Sequence, residues 1–246
     1  MTGVQTCALP IYTTSGRRPL LWAAANGHEG IVKLLLGRKD IDPDSSSKSN
    51  QTPLSWASRN GHEGIVKLLL GKGYVIPNTL DPLYSQTPLS CAAAGGHEGI
   101  VKLLLGRKDV NPDSSGESGI TPLTWAAAGG HGGIAKLLLG RKDINPGSSS
   151  ESGLSPLLLA AKNGHEGIVK LLLEREDVNP DTPDTWYGHT PLSLAANNGH
   201  EGVVKLLLGR EDVNPDGSSK TGESPLTLAT KNRHERVVEL LQARNS

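Results

Sequence analysis

The chain has 246 residues, and its 25 basic and 25 acidic side chains give a formal net charge of zero at neutral pH. This balance provides no strong basic field, so we expect no nucleic-acid partner and no membrane partner. Two cysteines are too few for a disulfide framework, and the apolar runs are far shorter than the roughly 20 residues that span a bilayer. We therefore predict a cytoplasmic protein.

The first segment, MTGVQTCALPI at residues 1–11, has neither the basic start nor the apolar stretch of about 7 to 15 residues that a secretory signal requires. It resembles a translated sequencing adapter. We therefore expect an artefactual leader at residues 1–11 and one repeat array at residues 12–246.

From residue 12 onward the sequence repeats with a period of 34 or 35 residues. The segment GHEGIVKLLL stands unchanged at 27–36, 61–70, 96–105 and 164–173, and three altered copies begin at Gly130, Gly199 and Arg233. Each of the seven units has a proline at the same place, at positions 19, 53, 88, 122, 156, 191 and 225. Seven copies in one register predict an array in which each unit is stabilised by its neighbours.

The second unit illustrates the two helices predicted in every unit. Thr52 is a suitable N-cap, and Pro53 suits the first helical position, where its missing N–H costs nothing. Gly61 offers the left-handed conformation that ends a helix, and a second helix is predicted from about Glu63 to Leu70. The apolar positions of that helix form two adjoining stripes. We expect it to pack on its own first helix and on both neighbouring units.

These residues resemble the ankyrin repeat. Its T-P-L-H-x-A pattern is matched by Thr-Pro-Leu-Ser-Trp-Ala at 52–57, and its later G-H before an apolar helix is matched at 61–70. The histidine of T-P-L-H is replaced by Leu, Ser or Thr in all seven units. The resemblance implies an all-α solenoid of seven helix-turn-helix units with projecting finger loops, which recognises proteins without catalysis. The sequence of the units also resembles that of repeats in large fungal proteins, in which such arrays often follow a nucleotide-binding switch domain.

The two ends of the array differ. The last unit, from Arg233, replaces repeat positions with charged residues, as a terminal cap with one solvent-facing side should. The first unit, with Ala23, Ile31 and Leu34, matches internal units. We therefore expect a fragment of a longer protein. An alternative function is the sensor tail of a larger nucleotide-dependent switch protein.

The repeated Gly-His-Glu sequence raises the question of whether each unit holds a reactive pair. A general base needs a group to act on and a pocket that adjusts its pKa, yet no Ser or Cys recurs at fixed spacing from the histidine. We predict a structural role instead, in which Gly61 turns the chain and His62 satisfies carbonyls left open at the end of a first helix. Glu63 then favours the start of the second helix. No catalytic residue and no cofactor are predicted.

One metal-binding motif occurs, with the spacing of an EF-hand loop. Its residues are Asp212, Asn214, Asp216, Gly217 and Glu223. Pro215 inside the loop, and the polar Ser219 at a position that is usually apolar, favour a coincidence. We predict no metal ligand, and a calcium- or ligand-binding array is only a second alternative function.

Binding residues are predicted where the units differ. The fingers Tyr74–Tyr84 and Asp184–His189 hold apolar or aromatic residues where other fingers hold Ser, Lys and Glu, and exposed aromatic residues are favoured interface anchors. The predicted anchors are Leu83, Tyr84, Trp186 and Tyr187. Equivalent variable positions of other fingers add Lys48, Glu117, Glu151 and Lys220, and first-helix positions that hold alanine elsewhere add Arg59 and Lys162.

We expect these residues to bind one unidentified partner protein, with the chain acting as a monomer. Two alternatives remain open from the sequence. The aromatic rings could pack back on a neighbouring finger, and the first-helix substitutions could simply face solvent.

Overall fold

A computed structural model describes residues 19–46, 51–81 and 85–244. These ranges contain fourteen α-helices and no strand beyond an isolated bridge between Asp81 and Gln86. The helices are α1 Pro19–Ala25, α2 Glu29–Leu36, α3 Pro53–Arg59, α4 Glu63–Leu70, α5 Pro88–Ala94, α6 Glu98–Leu105, α7 Pro122–Gly129, α8 Gly132–Leu139, α9 Pro156–Lys162, α10 Glu166–Leu173, α11 Pro191–Asn197, α12 Glu201–Leu208, α13 Pro225–Lys231 and α14 Glu235–Arg244. The predicted all-α class and the predicted bounds of the second helix are confirmed.

The helices form two compact units, one up to Val110 and one from Asn111. In the first, α1, α3 and α5 pack side by side, each of α2, α4 and α6 packs on the first helix of its own repeat, and α4 also contacts α2 and α6. In the second, α7, α9, α11 and α13 form the row of first helices, and α8, α10, α12 and α14 pack on it in the same way. The predicted leader at residues 1–11 lies outside the described residues.

The first helices begin with a repeated cap. The side-chain oxygen of Thr52 accepts a hydrogen bond from the backbone N–H of Ser55, and six first helices share this contact at 3.1 to 3.3 Å. The oxygen of Ser55 lies 3.0 Å from the oxygen of Thr52. A small hydroxyl side chain therefore bonds to the cap where the ankyrin pattern has its histidine.

The Gly-His-Glu copies join consecutive repeats. Nε2 of His62 lies 3.1 Å from the carbonyl oxygen of Ala25, at the end of the preceding repeat's first helix, and equivalent contacts of four later histidines measure 2.9 to 3.2 Å. The predicted structural role is confirmed, with the carbonyl belonging to the preceding repeat. Gly61 has a φ of +78°, and a Cβ there would lie 2.6 Å from Cε1 of His97. Glycine is therefore required at position 61 for two reasons: the backbone has a positive φ, and the adjacent imidazole leaves no space for a Cβ.

Candidate functional site

Two intervals between repeat prolines are 35 residues long, from 53 to 88 and from 156 to 191, and the others are 34. The added residue lengthens the finger. Backbone N–H groups of Ser150 and Ser219 close shorter fingers by donating to carbonyls four residues later. In the longer fingers Asp81 and Asp184 close the loop by donating to carbonyls five residues later, at 2.9 Å in both cases. The 35-residue spacing is thus a signal in the sequence that marks both unusual fingers.

The carboxylate of Asp184 holds the backbone of its finger through three hydrogen bonds. Its Oδ1 accepts from the backbone N–H groups of Trp186 at 2.9 Å and Tyr187 at 2.6 Å, and its Oδ2 accepts from that of His189 at 3.0 Å. Burial acts to raise the pKa of Asp184, but these three hydrogen bonds and the neighbouring His189 together hold the pKa below its usual value. Asp184 is therefore ionised at neutral pH and fixes the backbone under both aromatic residues.

The finger Asp184–His189 is held on both sides by its neighbours. The backbone N–H of Thr185 donates to the carbonyl of Ser152 at 3.1 Å, and its hydroxyl donates to the carbonyl of Glu151 at 3.0 Å. On the other side the backbone N–H of Lys220 donates to the carbonyl of Tyr187 at 2.7 Å. Glu151 and Lys220, both predicted as partner contacts, thus position this finger through their main chains.

The rings on this finger remain at the surface. Trp186 is 71% exposed and Tyr187 is 56% exposed, while the Tyr187 ring lies 5.6 Å from the imidazole of His189 in the same finger. The contacts described above between adjacent fingers are made by the backbone, the Thr185 hydroxyl and the Lys220 ammonium, which donates to the carbonyl of Thr185. The finger is therefore a constrained support that presents two large aromatic side chains.

Beside these rings lies a groove of about 240 Å³ that is open to solvent. We call it the finger groove. Its lining consists of Ser152, Leu154, Leu158, Lys162, Asp184, Trp186, Tyr187, His189 and Leu194. Helices α9 and α11 supply the apolar floor through Leu158 and Leu194. The groove brings together three predicted residues, Trp186, Tyr187 and Lys162.

The other predicted residues are placed differently. Glu117 is exposed and does not line the finger groove. Arg59 belongs to the first compact unit, where its guanidinium donates to the buried carboxylate of Asp81 at 3.3 Å and lies 5.9 Å from the Trp56 ring. Lys48, Leu83 and Tyr84 lie outside the described residues. The leucines of the groove were not predicted as binding residues, because they occupy ordinary apolar positions of the repeat.

Metal-ligating and thiol side chains are both present in the described part of the chain. No group of three or more His, Cys, Asp or Glu side chains there could hold a metal ion. In the EF-hand-like segment Asp212 pairs with Arg210 at 2.7 Å, and Asn214 accepts from the backbone N–H of Asp216 at 3.0 Å. Burial raises the pKa of Cys91 to about 11, so its thiol is protonated at neutral pH.

Within the described ranges no helix combines the length and apolar character that crossing a bilayer requires.

Paired helices, projecting fingers and an exposed aromatic groove define a helical repeat protein with a surface suited to binding. The family described as ankyrin repeats (3 copies) matches residues 4–81, 74–149, 141–217 and 157–246, so the chain belongs to the ankyrin repeat family. It is similar to the crystal structure of the human ASB11 ankyrin repeat domain, with a TM-score of 0.80 and 27% sequence identity over 94% of this chain and 99% of that one. The predicted solenoid fold is confirmed. No curated protein matches the sequence.

Proposed function

We propose that the chain is a non-catalytic protein-recognition module and that a partner protein docks on the finger groove. Ankyrin repeat domains generally bind other proteins. The observation that carries the proposal is the pair Trp186 and Tyr187, both mostly exposed and both supported by the ionised carboxylate of Asp184.

Energy estimates support this location. Aromatic side chains bury about 150 to 250 Å² each, so covering the exposed parts of two rings removes roughly 200 Å² of apolar surface from water. At about 25 cal/mol per Å² this contributes about 5 kcal/mol before the costs of association. Because three backbone hydrogen bonds already order the finger, its backbone loses little further entropy on binding.

Site-directed photo-crosslinking tests the proposal. A photo-reactive phenylalanine analogue is placed at Tyr187 and, as a control, at Lys170, an exposed position on α10 outside the groove lining. Each purified variant is irradiated in an extract of the source organism. We expect a discrete crosslinked protein from position 187 that is absent from position 170.

Trp186→Ala provides the quantitative readout. We expect the crosslinked yield at position 187 to fall about thirtyfold, which corresponds to an interface anchor worth roughly 2 kcal/mol. Thermal unfolding should remain unchanged, because the Trp186 side chain is 71% exposed. Equal crosslinking from both positions, or a yield unaffected by Trp186→Ala, would contradict docking at the finger groove.

A further inference from the structure

The finger groove combines an apolar floor with a cation that has no partner. Leu158 and Leu194 provide the floor, and Lys162 in the last turn of α9 lines the same groove. Lys162 is exposed, and its ammonium makes no ion pair or hydrogen bond with any other described residue. A ligand that covers the floor therefore meets one free positive charge.

The other charged groups near the groove either make contacts within the chain or lie outside its lining. The Asp184 carboxylate accepts three backbone N–H groups, with His189 Nδ1 at 3.4 Å. The Lys220 ammonium donates to the carbonyl of Thr185, and Lys231 pairs with Glu223 at 2.9 Å. Glu151 is exposed on the adjacent finger but does not line the groove. Among the charged side chains that line the groove, the Lys162 ammonium is therefore the one left open for an ion pair with a ligand.

This distribution separates two kinds of ligand that aromatic rings attract. A cationic side chain would find the faces of Trp186 and Tyr187, but it would approach the unpaired ammonium of Lys162, and the Asp184 carboxylate beneath is engaged by the backbone. A carboxylate would gain an ion pair with the exposed Lys162 ammonium, while its repulsion by the ionised Asp184 is partly offset by the three N–H dipoles that point at Asp184. Complementarity favours an anionic group next to an apolar one.

The size of the groove indicates the form of the ligand. Its volume of about 240 Å³ is below the roughly 300 to 1,000 Å³ of sites that enclose small molecules, and the groove is open to solvent. It suits one large side chain inserted from a chain that continues along the surface. Resting on the proposed function, we propose that the finger groove binds an extended segment of a partner protein in which a large apolar residue stands within a few residues of Asp or Glu.

A library of random linear heptapeptides displayed on phage and panned on the purified full chain tests this inference. We expect enriched peptides that hold Trp, Phe, Tyr or Leu near an acidic residue. One enriched peptide, made synthetically with a fluorescent label, then serves as the probe in polarisation measurements. Replacing its acidic residue by the matching amide should weaken binding several-fold, as for an exposed ion pair worth up to about 1 kcal/mol.

Three variants assign the contacts. Lys162→Glu should weaken the probe about tenfold, because an attraction becomes a repulsion, and Lys162→Gln should weaken it by a smaller factor. Lys170→Glu, the same charge reversal on α10, should leave affinity unchanged. Circular dichroism should show equal helix content in all three, since both lysines are exposed.

The outcomes separate this inference from the proposed function. Enriched peptides that are basic or lack an acidic residue, no enrichment at all, or affinity unaffected by Lys162→Glu would overturn the acidic-segment ligand. If position 187 still crosslinks a partner in any of those cases, recognition at the groove stands and only its chemistry is wrong. If crosslinking also fails, both proposals fail.

Discussion

At Asp184 the longer repeat gains a carboxylate where some shorter repeats have a serine. A serine at the equivalent place, Ser150 or Ser219, accepts one backbone N–H through its hydroxyl. The carboxylate of Asp184 accepts three. Because hydrogen bonds to a charged group are stronger than neutral ones, one side chain both closes the longer loop and orders the aromatic pair above it.

Asp113 is a counterexample within the same compact unit. Its Oδ2 accepts from the backbone N–H of Asn145 at 3.2 Å, while its Oδ1 is buried without a hydrogen-bond partner. Burial therefore raises the pKa of Asp113. The two aspartates shift in opposite directions because one carboxylate has enough donors to offset its loss of water and the other has not.

Replacing each aspartate by asparagine should give opposite results in urea unfolding. At about pH 7, Asp184→Asn should lower the free energy of unfolding by about 1 to 3 kcal/mol, since an amide cannot accept all three N–H groups. Asp113→Asn should leave it unchanged or raise it, because it removes a poorly solvated charge and keeps an acceptor for Asn145.

The pH dependence follows from the pKa directions. The pKa of Asp184 is lowered in the folded state, so its contribution is present above the unfolded pKa of about 3.9 and is lost as pH falls through the folded value. The pKa of Asp113 is raised, so its favourable contribution is present below the unfolded pKa and is lost as pH rises through the folded value. The deficit of Asp184→Asn should therefore shrink only in strong acid. Any gain in Asp113→Asn should already disappear in mild acid.

At the scale of the helix, the second glycine of Gly-His-Glu-Gly makes room for the preceding repeat. A Cβ on Gly202 would collide with the carboxylate of Glu166. Gly167 has the same place in its own helix, yet a Cβ there would meet nothing within 4 Å. The repeat before Gly167 has Gly-His-Gly-Gly at residues 130–133. Gly132 therefore replaces the glutamate whose side chain would otherwise reach Gly167.

This pair of glycines allows a matched test. Gly167→Ala should raise the free energy of unfolding by up to about 1 kcal/mol, the difference between alanine and glycine in a helix. Gly202→Ala should give less or none of this gain, because the Glu166 side chain must move. The gain should return when Glu166→Ala is added, which a thermodynamic cycle of the single and double variants would measure. Equal effects of both glycine substitutions in the parent chain would refute the contact.

At the scale of the molecule, each repeat presents the same surfaces to its neighbours, so stability should depend on register and on the number of repeats. Removing residues 156–190, one whole period, joins Ser155 to Pro191 and brings His200 to the place of His165. We expect this shortened chain to unfold cooperatively in urea, with a smaller dependence on urea concentration. Removing residues 156–173, about half a period, should abolish cooperative unfolding. Equal behaviour of the two deletions would contradict register dependence.

The repeat period made much of this fold predictable. Pro53 and Gly61 marked where helices start and end, and in five of the seven copies the glutamate and the last leucine bounded the second helix. The sequence could not show which repeat's carbonyl each histidine reaches, because that depends on how neighbours stack. It also could not show that Lys162 and Trp186, 24 positions apart, line one groove with Leu158. That groove depends on the path of a finger whose single added residue breaks the period.

Two of the histidine contacts are made to residues that were predicted to bind a partner. The carbonyl that meets His200 belongs to Lys162, and the one that meets His97 belongs to Arg59. The histidine of the following repeat thus holds the main-chain carbonyl of a first-helix position, and the side chain at that same position varies between repeats. Randomising position 162 should therefore yield well-folded proteins with altered ligand preference, so this scaffold can be diversified for new specificities without redesigning its core.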